Sequence, residues 1–301
     1  MLGSFDEAED LVQETFLRAW QGRGGFEGRS SPRAWLYRIA TNACLDALAG
    51  RARRVLPDEL APPSDPTVGL PVRTDVAWLQ PFPDRLWEPA APREDEPEAV
   101  TITRETMELA FLAAIQHLPP RQRAVLLLRD ALGWTAGQVA EQLEASVTSV
   151  NSALQRARAT LRERLPERAA EPTEGDLAVL RRYMDAVEGA DLGAVAAVLA
   201  EDVRTTMPPY PMWYQGRDAV LATLTASWDR DSTAYVGRFR LMATRANGRP
   251  AVAAYLRGPG DSEHRAFAIS VVRIEVGRVA ELTTFHDPGL FAAFGFPPVH
   301  R

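Results

Sequence analysis

Ten of the chain's 23 prolines lie between residues 57 and 100, in "PDELAPPSDPTVGLP" and "EPAAPREDEPEA". Each proline fixes its own φ and removes a backbone donor, so this density excludes long helices and central strands. A chain of 301 residues interrupted in this way folds as separate pieces, and its length suits two or three domains. The segment is acidic, with 10 Asp and Glu against 3 Arg. Its flanks are slightly basic: residues 1–56 hold 8 Arg against 7 acids, and 101–168 hold 9 against 7. The middle, "WLQPFPDRLW", is too aromatic for an inert spacer. Trp78, Leu79, Phe82 and Trp87 would form an apolar patch in water, which predicts that this strip docks on something.

Bulk numbers narrow the class. Apolar content of 46% and charged content of 25% are ordinary for a globular protein. No run approaches the ~18 apolar residues of a membrane span and no signal-peptide pattern opens the chain, so a cytoplasmic location without a membrane partner is expected. The net charge of −6 speaks against avid DNA binding by the chain alone. Cys44 is the single cysteine, which excludes an internal disulfide and a multi-cysteine metal site. Among Ile39, Ala40, Ala43 and Leu48 it reads as a small buried residue.

Helical spacing dominates the first 168 residues. "SFDE" at Ser4 predicts a capped helix with Leu11, Val12, Phe16, Ala19 and Trp20 inward, ending at "QGRGGFEG". Ser31-Pro32 starts a second, with Trp35, Leu36, Ile39, Ala40, Ala43 and Leu48 inward and "RARR" behind it. Beyond the prolines, a helix is expected from about Thr103 to His117, then "RQRAVLLLRDAL", "TAGQVAEQL" and "SVTSVNSALQRARATLRERL". A short helix, a tight connection at Glu144-Ala145 and a longer polar-faced helix make a helix-turn-helix layout. Glu144 stands where glycine often makes the turn. On the last helix Val147, Val150, Leu154, Ala157, Leu161 and Leu165 form an apolar stripe. The opposite face carries Thr148, Ser149, Asn151, Ser152, Gln155, Arg156, Arg158 and Arg162, with no acid in the first three turns. Periodicity alone leaves open whether that face reads DNA or is merely solvated.

From Glu174 the pattern becomes α+β. Helices are expected at 176–188, 192–200 and 217–228, followed by strands "YVGRFRLMATRA", "PAVAAYLRG", "HRAFAISVVRIEV" and "RVAELTTFH". Asn247-Gly248 is a strong hairpin signal between the first two. Three helices and a bent antiparallel sheet would enclose a cone-shaped cavity.

"DEAEDLVQETFLRAW", "SPRAWLYRIATNACLDAL" and "LPPRQRAVLLLRDALGWTAGQVAEQLEASVTSVNSALQRARATL" resemble regions 2 and 4 of an extracytoplasmic-function sigma factor. The tail, with "FHDPGLFAAFGFPP" near its end, resembles the SnoaL-like branch of the NTF2-like fold, found fused to some of these factors. The resemblance implies a multidomain chain: two all-α sigma units, helical region 2 at 1–56 and helix-turn-helix region 4 at 101–168, then an α+β NTF2-like cone at 174–301. Residues 57–100 form the linker. It implies as partners core RNA polymerase, at its β′ clamp helices and β flap, and promoter DNA. Asp10, Gln13, Glu14 and Arg18 match the clamp-docking face. The −10 candidates are Phe26, Arg29, Arg33, Tyr37, Arg38 and Asn42, because opening DNA needs an aromatic surface for an extruded base and cations for the strand. Arg51, Arg53 and Arg54 match phosphate contacts. Trp35 reads as core in preference to a stacking platform. For the −35 element the base-edge candidates are Thr148, Ser149, Asn151, Ser152 and Gln155, joined by Arg156 and Arg158, with Arg121 and Arg123 as backbone anchors. Family members carry a helix upstream of "MLGSFDEAED"; without it, part of the face of Leu11 and Phe16 would be exposed.

In the tail, Met207, Tyr210, Met212, Trp213, Tyr214, Phe285 and His286 are the cavity candidates, and a small-molecule ligand there is left open. His286 with Asp287 could make a proton-transfer pair, but Asp287-Pro288 reads as a turn. No catalytic residue, metal or cofactor is assigned. The expected function is promoter-directed transcription initiation with a built-in regulatory tail that clasps the linker and region 2 or 4. Two alternatives remain at this point: a ligand-sensing helix-turn-helix regulator that acts without polymerase, and an NTF2-like enzyme fused to a DNA-binding module.

Overall fold

The computed structural model describes residues 1–26, 28, 31–86, 108–165 and 173–300. These divide into two compact units, residues 1–54 with 108–165, and residues 55–86 with 173–300.

In the first unit, α1 (Phe5–Gly22) begins where Ser4 accepts a hydrogen bond from the Glu7 amide, and α2 (Pro32–Leu48) where Ser31 caps Ala34. The expected inner face of α1 is only half right. Phe5, Thr15 and Ala19 are buried, whereas Val12, Phe16, Leu17 and Trp20 are 54%, 60%, 51% and 66% exposed. The helix carries two apolar stripes, and α2 covers just one.

Next come α3 (Leu109–Ile115), α4 (Pro120–Leu126), a π-helical turn (Leu127–Ala131), α5 (Ala136–Gln142) and α6 (Val147–Arg164). The expected start of α3 near Thr103 lies outside the described residues. Gly133 ends the π turn with a φ of 67°, a conformation glycine adopts without a Cβ penalty. Ile115, Ala124, Val139, Val150 and Ala157 form the fully buried centre of this core. Val147, expected in the α6 stripe, is 48% exposed, because the helix meets its neighbours only from Val150 onward.

The second unit packs α7 (Glu174–Glu188), α8 (Leu192–Val198) and α9 (Arg217–Trp228) against a curled sheet. Its strands are β1 (Leu199–Thr206), β2 (Trp213–Gln215), β3 (Arg238–Ala246), β4 (Arg249–Arg257), β5 (His264–Glu275), β6 (Arg278–Phe285) and β7 (Val299–His300). The order is β2-β1-β6-β5-β4-β3, with β7 beside β5. The four expected strands are β3 to β6. The sheet is mixed instead of purely antiparallel, since β1, a strand that periodicity missed, runs parallel to β6. Asn247 (φ 54°) and Gly248 (φ 73°) turn β3 into β4, as the hairpin signal required. Val203, Leu241, Val252, Val272 and Leu282 face the helices. The opposite face receives α10 (Leu290–Ala293), whose Phe291 meets Tyr255 edge-on at 5.0 Å.

Residues 55–86 do not stand apart from this domain; they run over it. Leu79 is fully buried and Trp78 is 9% exposed, with its indole N–H donating to the Arg73 carbonyl. Phe82 and Asn247 exchange two hydrogen bonds of 2.9 Å, the Asn247 amide to the Phe82 carbonyl and the Phe82 amide to Asn247 Oδ1. Asp84 accepts from the Gly248 amide, and Arg85 donates to the carbonyls of Ala292 and Ala293. Farther up the strap, Arg204 bridges Asp58 and Glu281 at 3.1 Å each. The expected docking strip is therefore docked, apart from Trp87, which lies outside the described residues.

Candidate nucleic-acid interface

Helix α6 and the turn before it are set by their caps. Thr135 accepts from the Gln138 amide while Gln138 Oε1 accepts from the Thr135 amide, a reciprocal box that fixes the start of α5. Ala140 is 7% exposed where α5 meets its neighbours. The turn that follows closes with the Ala145 amide on the Ala140 carbonyl at 2.9 Å, and it requires Glu144 at φ 50°. An L-residue with a side chain is strained there. Ser146 then caps the Ser149 amide and starts α6, whose first turn holds no acid. That arrangement leaves amide dipoles and short polar side chains at an uncrowded helix start, which suits a polyanion.

Along α6 the expected base-edge set divides cleanly. Thr148, Ser149, Asn151, Gln155 and Arg156 are exposed, and Ser152 is half-buried. Arg158 is exposed but committed: its guanidinium forms a two-pronged bridge to Asp130, at 2.9 and 2.7 Å. The Asp130 hydrogen bond leads the interactions that raise its pKa. Arg158 thus braces α6 against the preceding π turn instead of extending freely.

The two expected backbone anchors also part. Arg121 is exposed, with one nitrogen 3.4 Å from the Leu143 carbonyl. Arg123 is a correction. It is 3% exposed and donates to Met1 O (2.5 Å), Gln116 Oε1 (2.9 Å), Gln116 O and Leu118 O (3.2 Å each). All four acceptors are neutral. Burial pulls its pKa down to about 10, and a side chain spent on interior acceptors cannot reach a phosphate.

On the region resembling sigma region 2, Phe26 lies 5.0 Å from Trp35 with tilted rings, so Trp35 backs the aromatic of the loop. Arg29 lies outside the described residues. The Arg33 guanidinium sits 5.6 Å from the Tyr37 ring. Arg38 reaches Glu141 at 3.1 Å, and Asn42 Oδ1 accepts from Gln142 Nε2 at 3.0 Å. Arg51 and Arg54 both bridge Glu7, at 2.8 and 2.7 Å, while Arg53 faces His117 at 3.3 Å. The basic tail of α2 is thus folded onto the start of α1.

Of the clamp-face candidates, Asp10 and Gln13 are exposed, and Glu14 and Arg18 pair at 2.7 Å one helical turn apart. Beside them opens an apolar groove of about 250 Å³ lined by Val12, Thr15, Phe16, Arg33, Leu36, Tyr37 and Ala40. The expectation that Phe16 and Trp20 both point inward does not hold, whereas the exposure expected for part of the face of Leu11 and Phe16 is seen at Phe16. The signal was present, since Val12, Phe16 and Trp20 recur at four-residue steps separate from the row of half-buried Leu11 with buried Thr15 and Ala19.

The cavity candidates of the tail are only partly brought together. Met207, Met212 and Tyr214 join the core between sheet and helices. His286 lies between Tyr210 and Phe267, edge-on to both at 5.3 and 4.9 Å. Neither of its ring nitrogens has a hydrogen-bond partner among the described residues, and burial lowers its pKa to about 4. Phe285 is a correction: an odd number of residues from core-facing Leu282, it points to the other face of β6. Trp213 is the other. Its indole donates to the Ala61 carbonyl, and its backbone pairs with Ser64 in both directions, so it anchors the strap.

Comparison with known proteins matches three segments of the chain. Residues 1–54 match Sigma-70 region 2, residues 108–161 match Sigma-70 region 4, and residues 180–282 match the SnoaL-like domain. The chain is 44% identical over 302 residues to the ECF RNA polymerase sigma factor SigG of Mycobacterium tuberculosis, across 99% of this chain and 79% of that protein. SigJ of the same organism is 26% identical over 97% of this chain and 87% of its own. The crystal structure of SigJ matches with a TM-score of 0.59 at 22% identity, covering 98% of this chain and 92% of that one.

Proposed function

Because the chain belongs to the extracytoplasmic-function RNA polymerase sigma factors, we propose that its two helical regions divide promoter reading between them. Kinship makes it a non-enzymatic regulator of transcription that works with core RNA polymerase and promoter DNA. In the finer reading, α6 enters the major groove of the −35 element and Asn151, Gln155 and Arg156 contact base edges. Thr148, Ser149 and Ser152 add shorter contacts near the helix start, and Arg121 holds the backbone. At the −10 element, Phe26 backed by Trp35 captures an extruded base while Arg33, Tyr37, Arg38 and Asn42 hold the separated strand. Asp10, Gln13, Glu14 and Arg18, with the apolar row Val12-Phe16-Trp20, dock on the β′ clamp helices, and region 4 meets the β flap.

The observation that carries the −35 reading is the exposed polar face over the first three turns of α6, which holds no acid and lies opposite the buried row Val150, Leu154, Ala157 and Leu161. Reconstitution with core polymerase on a promoter library tests it. Asn151→Ala and Arg156→Ala should each lower initiation on the preferred −35 sequence about tenfold, since one good base contact contributes ~1–3 kcal/mol of discrimination. An unchanged −35 preference in both variants rejects the assignment.

The C-terminal domain acts in this reading as a built-in regulator. What supports it is the strap: residues 55–86, between the two promoter-reading regions in sequence, are hydrogen-bonded to this domain from Asp58 to Arg85. A domain that holds the connector constrains what the connector joins. Run-off transcription by a chain lacking residues 170–301 should differ from that of the full chain; equal activity at every promoter removes the regulatory role.

A further inference from the structure

Within the first unit, one stripe of α2 is already occupied. Ala34, Tyr37 and Leu45 pack on the core built by α3 to α6, and the same stripe carries Arg38 and Asn42. Arg38 meets Glu141 of α5 at 3.1 Å. Gln142, 6% exposed, donates through Nε2 to Asn42 Oδ1 at 3.0 Å and to the Arg38 carbonyl at 3.2 Å. A second join lies nearby, where buried Arg123 donates to the Met1 carbonyl.

We infer that α5 is a latch over the strand-holding stripe of α2, so that Arg38 and Asn42 hold either Glu141-Gln142 or the promoter strand, never both. The inference rests on the −10 reading proposed above. The chemistry of the two occupants is alike. Glu141 offers Arg38 an anionic oxygen, as a phosphate does, and Gln142 offers Asn42 an amide hydrogen, as a base edge does.

The latch is also weak enough to release. The Arg38 and Glu141 side chains are 42% and 71% exposed, a range in which ion pairs contribute little. Gln142 Oε1 is buried without a hydrogen-bond partner among the described residues, which offsets part of the gain from its amide. A ligand that binds only the open form shifts such an equilibrium by its differential affinity alone. The free chain is then poor at holding single-stranded DNA, and any partner that separates α5 from α2 uncovers the stripe.

The test uses the full chain with Cys44→Ser and fluorophores at exposed Gln21 and Glu163. Glu141→Gln removes the charge from an exposed site. Gln142→Met keeps the side-chain volume and changes no charge, so it controls for non-specific attraction to DNA. The probe is the fluorescent non-template strand of a promoter selected by the reconstituted holoenzyme. The double variant is expected to show lower energy transfer and about tenfold tighter binding of that strand, with Gln142→Met alone moving both in the same direction. Unchanged energy transfer, or opening without a gain in affinity, overturns the latch. Failure of the underlying −10 reading shows itself separately, as full promoter opening by an Asn42→Ala holoenzyme.

Discussion

His286 makes the folded C-terminal domain sensitive to mild acid, and the size of the effect follows from its surroundings. Its ring is wedged edge-on between Tyr210 and Phe267 with neither nitrogen hydrogen-bonded among the described residues. Burial lowers the pKa from 6.5 to about 4, because the imidazolium has no partner that would replace its water. The unfolded chain therefore binds the proton more readily than the folded one between pH 6.5 and 4. Stability is unaffected above that window and falls as the pH drops through it. The full loss, reached below pH 4, is ~3 kcal/mol at about 1.4 kcal/mol per tenfold difference in proton affinity. Between pH 7 and pH 5 the expected loss is ~2 kcal/mol. Other groups titrate over the same range, so the measurement is a double difference: urea unfolding of the wild type and of His286→Phe, each at pH 5 and pH 7. Phenylalanine keeps an aromatic ring in the cluster and has no proton to bind. The wild type should lose ~2 kcal/mol more than the variant on acidification. Parallel losses in the two proteins would show that the ring is solvated in solution and that the burial argument is wrong.

Arg123→Ala should destabilise the first unit by ~3 kcal/mol, since it strands several buried acceptors that now share one guanidinium; a loss under ~1 kcal/mol in urea unfolding would return Arg123 to the pool of DNA contacts. Glu144→Gly relieves the left-handed strain at φ 50° and should raise thermal stability by about 1 kcal/mol without altering promoter preference. Asn247→Ala removes both a favourable hairpin residue and the acceptor of the Phe82 amide. Limited proteolysis should then cut within residues 55–86 several times faster than in the wild type, whereas an unchanged rate would mean that the strap is held elsewhere. Asp130→Asn breaks the brace on Arg158 and should weaken −35 recognition without touching DNA itself; charge exchange with Arg158→Asp and Asp130→Arg should restore part of it.

Much of this molecule is written in short-range chemistry. Ser4, Ser31, Thr135 and Ser146 start their helices because a side-chain oxygen can reach an amide three residues ahead, a relation contained in the sequence itself. Asn247-Gly248 turns a hairpin for an equally local reason, and the spacing of the sigma-like motifs carries the family assignment. The aromatic strap had to find a partner on solvation grounds alone. Its partner did not follow from those grounds; the Phe82–Asn247 exchange spans 165 residues of chain. The same distance problem explains the errors. Nothing near Arg123 in sequence distinguishes it from Arg121, yet the carbonyl of Met1 closes over one and not the other. Val12, Phe16 and Trp20 are as apolar as the buried row beside them, and only the placement of α2 decides which row stays wet. β1 was missed because its pairing with β6, in which Thr205 meets Leu282 and Thr206 meets Thr283, decides its conformation more than its own alternation does. Local hydrogen bonding and periodicity thus determine which elements form, while side-chain fate depends on what a distant segment brings to within a few ångströms, and that is a property of the folded chain.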